Sequence, residues 1–160
     1  MKILPKTKEA LVLRVDFSDD AAWDSICKAI KQPVGEFQAY VSFVSDPAFS
    51  GMGVQELLVL HAESSYRSFM FVVDQMALAL PDHPILVLDL LTEPGRTFRV
   101  IPSEMWGVEN NLSLANMDFA EFADSVDPDG VFRRFLDGYP LQHLSPPLPD
   151  YLRRRSAAAI

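Results

Sequence analysis

The most informative feature of the chain is a set of four short apolar runs that each end on an aspartate. They are LVLRVD (11–16), YVSFVSD (40–46), FMFVVD (69–74) and ILVLD (85–89). Runs of this length and composition are typical of buried strands. If the strands lie parallel in one sheet, the aspartates gather at its carboxyl edge, where open α/β sheets bind ligands. The pattern therefore predicts both a fold class and the place of a site.

The charge and composition of the chain narrow the classes of partner. Its 160 residues carry a formal net charge of −8, which disfavours binding to nucleic acid or to an anionic membrane. No apolar run is long enough to span a bilayer, and the first ten residues lack the apolar core of a secretory signal. The single cysteine, Cys27, rules out an internal disulfide framework. We therefore expect a cytoplasmic protein with no membrane and no nucleic-acid partner.

The order of the predicted elements indicates an α/β fold. Two strand–helix–strand units in series imply right-handed crossovers and parallel pairing. A turn at residues 92–96 leads into a strand at 97–101, which we expect to pair antiparallel at the edge of the sheet. The first helix carries an apolar stripe that should face the sheet, formed by Trp23, Ile26, Cys27 and Ile30.

These elements predict a single α/β domain over residues 1–136. Its sheet is expected to be mainly parallel, with about five strands, an antiparallel edge strand and flanking helices. Residues 137–160 are proline-rich, and we expect them to form a partly mobile tail.

The aspartates at the strand ends are the first candidates for chemistry. We expect Asp16 and Asp89 to lie at the same edge of the sheet. They could then act as a catalytic pair, because carboxylates close to each other have pKa values that differ, so that one serves as acid and the other as base. Arg99 is the third catalytic candidate, suited to clamp a substrate oxygen, and Asp74 is a candidate ligand-binding residue. The alternative for each aspartate is a helix cap or a turn, and for Arg99 an ion pair with one of the aspartates.

A polar stretch within an apolar segment gives further candidates. Glu109, Asn110 and Asn111 lie among large apolar residues in the segment 106–119. One interpretation is a pocket wall, with these three residues binding a ligand through hydrogen bonds. The other is a broken helix, since asparagine favours caps and turns.

Signatures of a cofactor or a metal site are absent from the sequence. There is no nucleophile-elbow, P-loop or dinucleotide-binding pattern, and the spacing of His61, His83 and His143 matches no zinc signature. His61 lies on an apolar helical face, where a satisfied core histidine is the expectation. We expect no cofactor and no bound metal.

Four stretches of the chain resemble a single family. They are LVLRVDFSDDAAWDSIC, ILVLDLL, TFRVIP and ENNLSLANMDFAEFADSVDPDGVFR, which run from about residue 10 to residue 135. These stretches are similar to a family of small α/β proteins of unknown function, seen in bacterial and fungal genomes. The resemblance implies a shared fold but no reaction. It also implies a set of polar positions, namely Asp16, Asp89, Arg99, Glu109, Asn110, Asn111 and Asp129.

Two hypotheses of function follow from these observations. The first is a cofactor-independent enzyme of lyase, isomerase or cyclase type that acts on a small organic molecule through the carboxyl-edge aspartates. The second is a non-catalytic interaction module, immunity-like or adaptor-like, whose acidic face meets a protein partner. A domain whose polar residues only satisfy its own backbone is a third interpretation. An apolar pocket that touches two aspartates would favour the enzyme, and a flat acidic face would favour the module.

Overall fold

A six-stranded mixed sheet forms the centre of the domain. In the computed structural model, which describes residues 2–63, 66–136 and 139–140, the strand order is β2-β1-β3-β4-β5-β6. The strands are β1 (Ala10–Arg14), β2 (Val41–Val44), β3 (Phe69–Val73), β4 (Ile85–Asp89), β5 (Thr97–Val100) and β6 (Val131–Phe132). β1 pairs parallel with β2 and β3, and β5 pairs parallel with β6, whereas β4 pairs antiparallel with both of its neighbours. The predicted mainly parallel α/β fold is confirmed.

Five helices cover the two faces of this sheet. They are α1 (Asp20–Lys31), α2 (Val54–Ala62), α3 (Gln75–Ala79), α4 (Met105–Ser113) and α5 (Phe119–Ala123). Side chains alternate between the faces of each strand, so the buried sheet residues divide into two cores. One core holds the apolar faces of α1, α3, α4 and α5, and the other holds α2 together with Leu4 and Phe49.

Helix capping explains where two of the helices begin. The side chain of Asp19 accepts a hydrogen bond from the backbone N–H of Ala22 at 2.9 Å and starts α1. The carboxylate of Glu121 accepts from the backbone N–H of Asp118 at 2.7 Å, as the capping-box pattern predicts for α5.

The strand that runs against the others is β4, which lies inside the sheet. A crossover to a parallel neighbour needs roughly a dozen residues or more, usually with a full helix. Residues 74–84 hold only the five-residue helix α3, so the chain returns antiparallel beside β3. β5 pairs antiparallel with β4, but the prediction that it is the edge strand is wrong, because β6 pairs parallel on its outer side. The reversal of β4 carries the end of that strand to the opposite edge of the sheet.

The remaining part of the chain adds a small hairpin. β7 (Phe135–Leu136) pairs antiparallel with β8 (Tyr139–Pro140). The tail predicted for residues 137–160 otherwise lies outside the described residues. In the described part of the chain, no helix has the length and apolar character needed to cross a membrane.

The predicted apolar stripe of α1 faces the sheet. Trp23, Ile26 and Ile30 are buried, and Cys27 is half-buried beside them. Burial raises the pKa of the Cys27 thiol to about 11. The thiolate, which is the reactive form, is therefore scarce at neutral pH.

We expect Cys27 to react slowly with Ellman's reagent in the native protein at pH 8. An unfolded cysteine has a pKa of about 8.5, so the native thiol should react roughly 100-fold or more slowly than the thiol in urea. The absorbance of the released product, followed over time for the native protein and for the protein in urea, gives the two reaction rates. Equal rates would show that α1 does not pack as described.

Candidate functional site

Asp16 and Asp89 lie at opposite edges of the sheet. β1 and β3 end at the carboxyl edge, where Asp16 and Asp74 follow them, whereas β4 ends at the amino edge. Asp89 pairs in register with Phe69 at the start of β3, while Arg14 pairs with Val73 at its end. Four residue steps along a strand span about 13 Å. The prediction that Asp16 and Asp89 share one edge is therefore wrong, because β4 is antiparallel to β3.

The carboxylates of Asp16 and Asp89 each stabilise the turn that follows them by accepting hydrogen bonds from its backbone N–H groups. Asp16 accepts from the backbone N–H of Ser18 at 2.9 Å and from its hydroxyl, and these hydrogen bonds lower the pKa of Asp16. Asp89 is 2 % exposed. It accepts from the backbone N–H groups of Leu91, Thr92 and Glu93 at 3.0, 3.1 and 2.9 Å. This geometry favours the turn interpretation for both residues.

Arg99 and Asp74 do come together, as a two-point ion pair at the carboxyl edge. Arg99 Nη1 lies 2.9 Å from Asp74 Oδ1, and Arg99 Nη2 lies 2.6 Å from Asp74 Oδ2. Arg99 Nη1 also donates to the carbonyl of Pro84 at 2.9 Å. Asp74 Oδ1 caps α3 by accepting from the backbone N–H of Ala77 at 3.1 Å. The pair joins β5, β3 and α3, as in the ion-pair alternative.

Two other arginines at the carboxyl edge are also paired with aspartates. Arg14 Nη2 lies 2.7 Å from Asp20 Oδ1. Arg133 follows β6 and pairs with three carboxylates at 2.9, 2.9 and 2.6 Å, those of Asp82, Asp127 and Asp129. Among the residues that the structure describes, no three His, Cys, Asp or Glu side chains are arranged to hold a metal ion.

The two predicted asparagines lie on α4 and bond to nearby carbonyl groups. Asn110 Nδ2 donates to the carbonyl of Trp106 at 2.5 Å and to that of Gln38 at 3.3 Å. Asn111 Nδ2 donates to the carbonyl of Gly107 at 2.8 Å. Their amides therefore stabilise the end of α4 and its contact with the segment before β2.

Glu109 joins α4 to the same segment. It is 4 % exposed, and its Oε1 accepts from the backbone N–H of Tyr40 at 2.9 Å. Burial raises the pKa of Glu109. A buried carboxyl that satisfies a backbone N–H of another element fixes the position of that element.

Arg67 lies at the amino edge, two residues before Phe69, the first residue of β3, and it has no acidic partner among the residues that the structure describes. The residue is 8 % exposed. Its Nη2 donates to the carbonyl of Pro5 and to Oγ1 of Thr7. Its Nε and Nη1 are buried without a hydrogen-bond partner among the described residues. No carboxylate in the described ranges forms an ion pair with this guanidinium.

Two cavities flank the side chain of Arg67. The first has a volume of about 200 Å³ and a polar lining that includes Thr7, Lys8, Glu9, Ser68 and Ser113. The second has a volume of about 220 Å³ and is lined by His61, Tyr66, Arg67, Ser68, Leu90 and Leu91. We refer to Arg67 and these two cavities as the Arg67 site.

His61 contributes a second basic side chain to the Arg67 site. It is 7 % exposed and lies in the last turn of α2. Its Nδ1 is buried without a hydrogen-bond partner in the described part of the chain. The expectation of a buried histidine is confirmed, but that nitrogen is not satisfied. Burial and the charge of Arg67 lower the pKa of His61.

The sequence signal for the Arg67 site is weak. Arg67 lies between Tyr66 and Ser68, directly before an apolar strand, and a single basic residue at that position is ordinary. What distinguishes it is that no carboxylate of the described residues lies within ion-pair distance of it, although Glu9 lines the first cavity, and that depends on which strands and loops surround it.

The described residues form an α/β fold built on a six-stranded mixed sheet. The chain belongs to the family described as a domain of unknown function, DUF6924, whose sequence profile matches residues 9–135. The matched range contains the whole six-stranded sheet together with Arg67 and His61. A comparison with curated proteins finds no match to the chain.

We expect Asp74→Ala to destabilise the fold by about 1–3 kcal/mol, because it removes a helix cap and leaves Arg99 without its counter-ion. Urea unfolding followed by circular dichroism measures the change. The control is Asp124→Ala, which removes an exposed ion pair with Arg96 and should cost about 1 kcal/mol or less. Equal losses in the two variants would contradict a structural role for the pair of Asp74 and Arg99.

Glu104 adds a pH-dependent element at the carboxyl edge. It ends the 3-10 turn Pro102–Glu104 after β5, a turn that packs against α1. Burial raises the pKa of this half-buried carboxyl to about 7, from an ordinary value of 4.5. Both cavities of the Arg67 site lie at the other edge, so we assign Glu104 an effect on stability.

The folded state therefore favours protonated Glu104. That stabilisation is complete below pH 4.5 and is lost as the pH rises toward about 7. We expect Glu104→Gln to melt at a higher temperature than the parent protein at pH 8, with a smaller difference at pH 4.5. Thermal melts at both pH values test this, with the exposed Glu36→Gln as control. A difference that does not change with pH would contradict the assignment.

Proposed function

We propose that this domain binds a small organic anion, a carboxylate or a phosphate, at the Arg67 site. The observation that supports the proposal is a guanidinium that is 8 % exposed, borders two cavities and has no carboxylate partner among the described residues. The chain has a net charge of −8, so acidic residues are plentiful. That no described carboxylate forms an ion pair with this buried arginine supports an external counter-ion.

The energetics support an external anion. A buried hydrogen-bond donor without an acceptor costs about 1–3 kcal/mol, and more when the group is charged. Arg67 carries two such nitrogens, Nε and Nη1. Carboxylate and phosphate oxygens match the planar geometry of a guanidinium and form its strongest hydrogen bonds. Both nitrogens are buried away from the cavities, so an anion in a cavity would compensate the charge of Arg67 and thereby stabilise the folded state.

The dimensions of the site favour a ligand with few heavy atoms. The cavities have volumes of about 200 and 220 Å³, whereas pockets for drug-sized molecules usually exceed roughly 300 Å³. The first cavity offers hydroxyl groups from Thr7, Ser68 and Ser113, and the second offers the apolar side chains of Leu90 and Leu91. An anion with a small polar or apolar substituent fits this description.

The enzyme hypothesis stays a prediction. A cofactor-independent reaction of lyase, isomerase or cyclase type would now act on the anion at the amino edge. The two carboxylates predicted to perform acid–base chemistry are engaged in turns, since Asp16 accepts from Ser18 and Asp89 accepts three backbone N–H groups. We accordingly propose binding as the function and a cytoplasmic location, which the single cysteine favours.

A second candidate function is protein interaction at the carboxyl edge. The exposed carboxylates of Asp19, Asp20, Asp24 and Asp46 lie on or beside this edge. An acidic surface of this kind steers association with a basic partner and makes its rate sensitive to salt. Association of this type would be unaffected by changes at Arg67.

Calorimetric titration with acetate and with sulfate tests the binding proposal. We expect saturable binding of at least one of these anions to the parent protein, and a loss of at least tenfold in affinity for Arg67→Gln. A saturating anion should also raise the melting temperature, because a ligand at 100 times its Kd adds about 2.7 kcal/mol to stability.

The matched control is Arg96→Gln, which removes a partly exposed arginine from its ion pairs with Glu93 and Asp124 and should bind the anion as the parent protein does. Arg67→Lys keeps the charge and separates loss of binding from loss of folding. Binding of neither anion to the parent protein, or equal binding to Arg67→Gln, would overturn the proposal.

A further inference from the structure

We infer that His61 is the second recognition residue of the Arg67 site, so that the site selects doubly charged anions of the phosphate type and takes up one proton when such an anion binds. This inference rests on the proposed function. The geometric observation behind it is that His61 and Arg67 line the same cavity of about 220 Å³. Both residues are more than nine-tenths buried. Each also carries a buried nitrogen without a hydrogen-bond partner in the described ranges, so neither charge is compensated there by a contact of its own.

Of the titratable groups near His61, Arg67 is the one whose charge acts on the imidazole. Arg67 and Tyr66 lie in the segment before β3, and the charge of Arg67 acts on the imidazole. Asp89 lies at the end of β4, next to Leu90 of the cavity wall, but its carboxylate accepts three backbone N–H groups. Lys8 and Glu9 line the other cavity. Among the described residues, the lining of the His61 cavity therefore carries basic groups and no carboxylate.

This environment keeps His61 neutral in the free protein. Burial and the neighbouring guanidinium both lower the pKa of His61, so the imidazole is uncharged at pH 7. The last turn of α2, where His61 lies, favours a positive charge because the helix dipole is negative there. Burial and the charge of Arg67 are therefore what disfavours protonation of His61 in the free protein.

An anion between the two side chains reverses this balance. It neutralises the charge of Arg67 and places negative charge beside the imidazole, which raises the pKa of His61. A singly charged carboxylate is matched by Arg67 alone. A phosphate group carries a charge of about −1.5 to −2 at pH 7 and offers three acceptor oxygens. It is matched by a guanidinium together with a protonated imidazole, so the second charge of the ligand is recognised by His61.

Sulfate and acetate separate the two charge states experimentally. Sulfate stays doubly charged and acetate singly charged between pH 6 and 8, so any proton taken up in this range belongs to the protein. We expect sulfate to bind more tightly at pH 6 than at pH 8, by up to about tenfold per pH unit, which is the limit for one linked proton. Calorimetry in two buffers of different ionisation enthalpy at pH 7 should show net proton uptake with sulfate.

The variant His61→Gln should lose the pH dependence and at least tenfold of the sulfate affinity, while acetate binding is retained. Retained acetate binding also shows that the variant is folded. The matched control is His83→Gln, because His83 lies near the carboxyl edge and its Nδ1 is within 2.8 Å of the carbonyl of Ala77. This control should keep both the sulfate affinity and its dependence on pH.

The outcomes distinguish the two proposals. If neither anion binds the parent protein, or if binding does not depend on Arg67, the proposed function fails and the role of His61 fails with it. If sulfate binds through Arg67 but its affinity changes neither with pH nor in His61→Gln, the binding proposal stands. In that case His61 is a buried neutral side chain, and the inference about doubly charged anions is overturned.

Discussion

The antiparallel placement of β4 between β3 and β5 decides at which edge of the sheet Asp89 and the turn that follows it lie. Because the chain returns directly after the short helix α3, β4 ends at the edge where β3 begins. Asp89, the last residue of β4, accepts hydrogen bonds from three backbone N–H groups and so stabilises the turn that leads to β5. Leu90 and Leu91, which follow it, form one wall of the cavity beside Arg67. A parallel β4 would have placed this turn at the carboxyl edge and left Arg67 without that wall.

The buried and half-buried arginines of the domain contrast in how their charge is compensated. At the carboxyl edge, Arg14, Arg99 and Arg133 each meet at least one aspartate within 3 Å. Removing a charge from water is costly unless a partner and hydrogen bonds compensate it. Arg67 is more than nine-tenths buried, yet in the described part of the chain only a backbone carbonyl and a hydroxyl accept from it. The difference in counter-ions is what makes the amino edge, and not the carboxyl edge, the candidate site.

Helix α4 shows how polar residues on an apolar element can be structural. Asn110 and Asn111 bond to carbonyl groups one turn earlier, and Glu109 accepts from the backbone of Tyr40. These contacts tie the segment before β2 to the helix layer. The end of the same helix, at Ser113, reaches the cavity between β1 and β3. The polar stretch therefore supports the wall of the site without binding in it.

The sequence alone determined most elements of the fold. Its short continuous apolar runs placed β3 and β4 at their observed bounds, and the capping box Asp118 to Glu121 marked the start of α5, because these signals depend on neighbouring residues. Strand direction and counter-ions were decided only by the tertiary structure. Asp16 and Asp89 look alike in the sequence, but the direction of β4 separates them. Arg99 and Arg67 are both single basic residues beside apolar strands, but only Arg99 meets Asp74. The partner of a charged side chain often comes from a distant part of the chain. Local sequence patterns therefore identified the candidate residues, but they did not show which arginine lacks an acidic partner and could bind a ligand.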